Sequence, residues 1–126
     1  MQLTVDQKPS SIEPTIIVVA PSGEVDLATA GTLRSGLERA ESEASAGLVI
    51  DLRSVGFIDS TGIGELVGCH RRCHELSRPL AFVVPEGTII KILKVTGMDA
   101  VFDLYADEAS AVRAVASRPT DGNAGE

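Results

Sequence analysis

The chain has 126 residues, 44% of them apolar and only 3% aromatic, with a formal charge of −7. That length supports one domain around a single aliphatic core. Eleven basic residues against eighteen acidic ones argue against nucleic acid as a partner, because a phosphate backbone is held by clustered Lys and Arg. The same balance argues against an anionic membrane surface.

Met1 to Lys8 lacks the basic start and apolar stretch of a secretory signal. The longest apolar run, Ile16 to Ala20, is far short of the roughly 20 residues that span a bilayer. A cytoplasmic protein without membrane contact is the expectation. Two cysteines do not make a disulfide framework.

Leu3 and Val5 alternate with polar residues, which predicts a short edge strand, closed by a turn at Lys8-Pro9-Ser10-Ser11. Thr15 to Ala20 is β-branched and nearly all apolar and predicts a buried strand ending at Pro21-Ser22-Gly23. Ala30, Leu33, Leu37 and Ala40 follow at helical spacing, with Asp26 or Thr29 as cap. Leu48 to Leu52 predicts a second buried strand. Arg53 to Gly56 is expected as a loop, anchored in the core by Phe57 and Ile58.

A central helix then carries Ile63, Leu66, Val67, His70 and Cys73 on one side and stops before Pro79. Leu80 to Val84 predicts a third buried strand. Ile89, Ile92, Leu93 and Thr96 share one helix face, with Thr88 as cap and Gly97 as stop. Val101 to Tyr105 is a short last strand, and Asp107 to Ser117 a closing helix. Residues 1–117 form the domain, and 118–126 are expected as a disordered polar tail. Strands alternating with helices imply an α/β fold with right-handed parallel crossovers.

The most informative stretch is Phe57-Ile58-Asp59-Ser60-Thr61-Gly62-Ile63-Gly64. It places two hydroxyls at the start of the central helix, where unpaired N–H groups carry partial positive charge and can hold an anion. A hydroxyl there suits reversible phosphorylation. A simple cap needs one polar side chain, yet three stand in a row. Gly62 and Gly64 each cost a helix interior about 1 kcal/mol relative to Ala, which suggests that another chain approaches the backbone closely.

The chain resembles STAS-domain proteins of the anti-sigma factor antagonist (anti-anti-sigma factor) type. Three stretches carry the likeness: Gly23-Glu24-Val25-Asp26 with Leu27-Ala28-Thr29-Ala30; Leu48-Val49-Ile50-Asp51-Leu52 running on to Phe57 through Gly64; and Lys94-Val95-Thr96-Gly97-Met98 leading to Phe102. The likeness extends from about Leu3 to Ala116.

It implies a small, mixed, mostly parallel sheet of four to five strands with about four helices, and a regulator that is not an enzyme and needs no cofactor of its own. The unphosphorylated form would bind an anti-sigma factor and release a sigma factor. That partner would be a serine kinase, bringing its own ATP and metal, and would switch binding off by phosphorylating Ser60. A phosphatase acting on phospho-Ser60 would reset it. Asp59 matches the motif aspartate, Thr61 the next slot, and Asp26 an acid on a neighbouring loop. The expected partner surface is Glu24 and Asp26, the turn Asp59, Thr61, Gly62, Ile63 and Gly64, and the exposed side of the central helix with Glu65 and Gly68. The alternatives are an unphosphorylated STAS adaptor in a larger signalling or lipid-transport complex, and a small nucleotide-binding module.

Other motifs are weaker. Cys69-His70-Arg71-Arg72-Cys73-His74 puts each like pair on one helix face, but the pairs lie about 100° apart, and a closed zinc site needs four ligands. No metal is expected there; Cys69, Cys73 and His70 read as partly buried packing residues, and no activating motif supports redox sensing by the cysteines. Gly62-x-Gly64-x-x-x-Gly68 misses the dinucleotide fingerprint's spacing. Ser60 lacks a nucleophile elbow, and His70 is about 15 Å along the helix, so hydrolysis is not expected. Asp51 reads as a solvated acid at a strand end rather than a phosphoacceptor.

Overall fold

The computed structural model describes residues 2–118. In chain order its elements are β1 (Leu3–Pro9), β2 (Ile16–Val25), α1 (Ala30–Glu43), β3 (Gly47–Asp51), β4 (Val55–Ile58), α2 (Ser60–Glu75), β5 (Leu80–Val83), α3 (Thr88–Val95), a 3-10 turn (Met98–Ala100), β6 (Leu104–Tyr105) and α4 (Glu108–Ala116). The sheet runs β1-β2-β3-β5-β6, with β4 paired to the far end of β2. β1 is antiparallel to β2 and every other pairing is parallel. The mixed, mostly parallel sheet is therefore as expected, but it has six strands rather than four to five.

Strand alternation divides the core. Ile17, Val19, Leu48, Ile50, Leu80 and Phe82 face α1, α2 and α3 and form the larger cluster. Ile16, Val18, Val49, Ala81 and Val83 face α4, through Ala111, Val112 and Val115. Both faces are covered, which is why these strands read as continuous apolar runs.

Two expectations fail at β2 and β4. Pro21-Ser22-Gly23 does not end β2, which continues to Val25. The Gly23 N–H donates to the Ser54 carbonyl toward β4, so Pro21, two residues earlier, directs its missing donor to that same side. There the β3 pairing has ended at Val19 and the β4 pairing has not begun, so no ladder bond is lost. Residues from Val55 onward form a strand rather than a loop, with Val55 and Ile58 buried and Phe57 44% exposed. Phe57 is thus no core anchor: in a strand, neighbouring side chains take opposite faces, and Ile58 takes the inner one.

The remaining differences are local. β1 continues through Lys8 and Pro9, residues expected in a turn. β6 is two residues long, because the Val101 and Phe102 N–H groups donate back to the Met98 carbonyl and do not join the ladder. Gly87, not Thr88, occupies the N-cap of α3. Asp51 is not solvated: it is 7% exposed and accepts from the Arg53 guanidinium at 2.9 and 2.7 Å. The expected polar tail lies outside the described residues except for Arg118.

Helices α1 and α2 are clamped by charge. Glu41, 7% exposed, accepts two hydrogen bonds from the Arg72 guanidinium, both at 2.8 Å. This two-pronged geometry is what allows a carboxylate to be buried. Arg72 passes close over Gly68, where an added Cβ would stand 3.3 Å from its Nη1.

Candidate functional site

The Ser60 turn is positioned by the sheet. β2 and β4 pair at Glu24↔Phe57 and Val25↔Ile58, and the Asp59 N–H donates to the Val25 carbonyl at 3.0 Å. Two adjacent parallel strands therefore deliver their following segments to the same sheet end. One carries Asp26 to Thr29 into α1, and the other carries Asp59 and Ser60 into α2.

Each segment is fixed by its aspartate. Asp26 Oδ1 accepts from the Ala28 and Thr29 N–H groups at 2.9 and 3.1 Å. The Thr29 hydroxyl donates to the Glu24 carbonyl at 2.8 Å. Of the two cap candidates, Thr29 occupies the N-cap of α1 but its side chain makes no cap bond and ties the turn back to β2, while Asp26 accepts from the N–H groups of the turn ahead of the helix. Asp59 is the N-cap of α2, its Oδ1 accepting from Thr61 and Gly62 N–H at 2.9 and 3.1 Å.

Ser60 is the first residue of α2 and is exposed. Thr61 and Glu65 are half-buried, and Gly64 is exposed, with nothing within 4 Å of the point a Cβ would occupy. Gly62, Ile63 and Gly68 are buried, so they do not line the open surface expected of them. A Cβ on Gly62 would lie 2.4 Å from Val25 Cγ1 and 2.6 Å from Ile58 Cγ1. This glycine thus answers to the protein's own core, whereas Gly64 has no such internal reason.

The anion-holding role of the helix start is also changed. The Thr61 and Gly62 donors are already taken by Asp59, and the Ile63 N–H donates to the Asp59 carbonyl at 2.9 Å. A phosphoryl group on Ser60 would stand beside a carboxylate that already holds two of the leading donors.

Two surface residues at this end were not legible as such. Leu27 is 79% exposed, directly after Asp26, and Phe57 is exposed beside Glu24. The signal for Leu27 was an apolar residue in a polar turn with no periodic partner. For Phe57 it was the adjacent Ile58, since a strand admits only one of the two inward. The cysteines behave as packing residues: both are buried, and a hydrogen bond to Cys73 together with burial pushes the Cys69 thiol up, away from the reactive thiolate. Among the described residues no three His, Cys, Asp or Glu side chains group as metal ligands, and no helix is long and apolar enough to cross a membrane.

Sequence and structure comparisons agree with this frame. The family model of the STAS domain matches residues 7–111, and the chain belongs to that family. The anti-sigma-B factor antagonist of Bacillus subtilis (strain 168) is 29% identical over 113 residues, spanning 90% of this chain and all of the relative. Its counterpart in Listeria monocytogenes serovar 1/2a is 26% identical over 104 residues, or 82% of this chain and 90% of the relative. Among solved structures, an anti-sigma factor antagonist from Mycobacterium paratuberculosis superposes with a TM-score of 0.80 at 26% identity, covering 90% of this chain and 93% of the other. The anti-sigma factor antagonist SpoIIAA in its unphosphorylated form shares the fold, with a TM-score of 0.65 at 18% identity over 90% and 99% of the two chains.

Proposed function

We propose that this protein is a phosphorylation-switched anti-sigma factor antagonist. Its unphosphorylated form binds an anti-sigma factor that is itself a serine kinase, and so releases a sigma factor. The observation that carries the reading is Ser60, an exposed hydroxyl on the first residue of α2, directly after Asp59 and at the sheet end from which the Asp26 turn also leaves. The protein performs no bond chemistry in this cycle; the kinase supplies ATP and a phosphatase removes the phosphoryl group.

The switch is electrostatic. Phosphorylation adds about −1.5 to −2 charge at neutral pH, next to a carboxylate whose own bonds occupy the helix-start donors. A partner docking there would have to desolvate that charge among acids. Like charges across an interface cost several kcal/mol, and about 3 kcal/mol already weakens binding more than a hundredfold. No refolding is required.

The docking surface comprises Glu24, Asp26, Ser60, Gly64 and Glu65, with Leu27 and Phe57 as its apolar anchors. Exposed bulky side chains inside a charged rim are the usual carriers of interface energy. A complementary partner offers apolar sockets edged by Lys or Arg. The test is mass spectrometry after incubation with the cognate kinase and ATP. Phosphate on Ser60, and its loss in Ser60→Ala, supports the reading; full-stoichiometry modification of Ser60→Ala at another residue overturns it.

A further inference from the structure

At the other end of α2 the chain builds a recess, a groove of about 440 Å³. Its walls are the last turns of α2, the start of β5 and the segment around Val101. His70, His74, Ser77, Arg78, Asp103 and Arg118 line it. The volume is that of a small-molecule site.

In a chain of −7, this groove is locally cationic. Asp103 is neutralised within it, since it forms an ion pair with Arg118 and accepts from the Tyr105 hydroxyl at 2.9 Å. Arg118 is further held by the Leu80 carbonyl at 3.3 Å. Arg78 is half-buried, and among the described residues its charge has no carboxylate partner.

The other walls add donors. The His70 and His74 rings are stacked, centroids 6.5 Å apart and planes within 8°, and His70 rests on Phe102 at 5.6 Å. Ser77 is the only non-glycine among the described residues with a left-handed backbone, φ 53°. The Ser77 and Arg78 N–H groups donate to the His74 and Cys73 carbonyls and close the helix. Glycine is the usual residue at that position, and a side chain there is strained. Here the strained position carries a hydroxyl at the groove.

A guanidinium fork, two imidazoles and a hydroxyl exceed what the two oxygens of a carboxylate can accept, and suit the three terminal oxygens of a phosphate monoester. Leu80 and Val101 supply an apolar wall beside them. We propose that this groove binds a small organic phosphate monoester, with the phosphate on Arg78 and the two histidines and the organic body against Val101. His74 is fourteen residues along α2 from Ser60, about 21 Å, so the site is separate from the switch and does not depend on it.

The test is titration of the full chain with phenyl phosphate, followed by amide and imidazole NMR shifts. Saturable shifts at His70, His74, Ser77 and Arg78, with none at Ser60 to Gly64, are expected. Arg78→Ala should weaken binding by roughly tenfold to a hundredfold while keeping the dispersed spectrum of the parent. Arg71→Ala, at an exposed arginine outside the groove, should leave binding unchanged, and benzoate should bind more weakly than phenyl phosphate. Shifts that never saturate, equal binding by Arg78→Ala, or equal binding of benzoate would each overturn the proposal.

Discussion

The two ends of α2 carry opposite charge, and they differ in how much of that charge the fold consumes. The helix dipole favours acids at the start and cations at the finish, so Asp59 at one end and Arg72 and His74 at the other need no functional cause. At the start, Asp59 is used by its own helix, which leaves the exposed Ser60 hydroxyl outside the capping bonds. At the finish, Arg72 is used by Glu41, while Arg78 lines the groove with no carboxylate partner among the described residues. In both places the group available to a visitor is the one left after the structure's own demands are met.

The sharpest way to break this comparison is to charge the start of the helix. Ser60→Asp should weaken binding to the anti-sigma partner, measured by calorimetry, by about a hundredfold, with the unfolding midpoint nearly unchanged. Equal affinity would remove the electrostatic basis of the switch.

Two glycines of α2, one packed and one open, sharpen the same end. Gly62→Ala forces a Cβ against Val25 and Ile58 and should cost about 1–3 kcal/mol in urea unfolding. Gly64→Ala meets open space and should stabilise by up to about 1 kcal/mol. If partner backbone packs on Gly64, that stabilised variant should still bind less tightly. Leu27→Ala and Phe57→Ala should each lower partner affinity roughly tenfold, with a smaller loss of stability at Leu27, 79% exposed, than at Phe57, 44% exposed.

Much of this was legible in sequence where one physical demand dominates. The aliphatic runs of β2, β3 and β5 identify themselves because both faces of the sheet are covered, and Asp59-Ser60 marks the start of α2 because capping chemistry is local. What escaped depends on pairing between distant segments. Whether Val55 to Ile58 is loop or strand is decided by the free end of β2, which no local pattern states. The burial of Gly62 and Gly68 likewise follows from Val25, Ile58 and Arg72, contacts set by the tertiary fold. The groove at Arg78 draws on Arg118, some forty residues away along the chain.

The smallest expected effect lies at the finish of α2 and concerns protons. Burial, and then the neighbouring charge of His74, lower the pKa of His70 below its ordinary value. The folded state therefore binds fewer protons at this site than the unfolded chain does. The stability that follows is fully present above about pH 6.5, the ordinary imidazole value, and is lost as pH falls through the lowered one. The groups around this ring are His74, Cys73 and Arg78 from the α2 end, Asp103 and Arg118 from the opposite wall, and Phe102 beneath. Ordinary carboxylates titrate near pH 4, outside the window. The urea midpoint of the free protein should therefore decline as pH falls below about 6.5, and His70→Gln should flatten that decline. Saturating phenyl phosphate should flatten it as well, because a bound anion favours the protonated imidazoles. A decline that survives both treatments would place the titrating group elsewhere and leave the two ends of α2 alike in their response to acid.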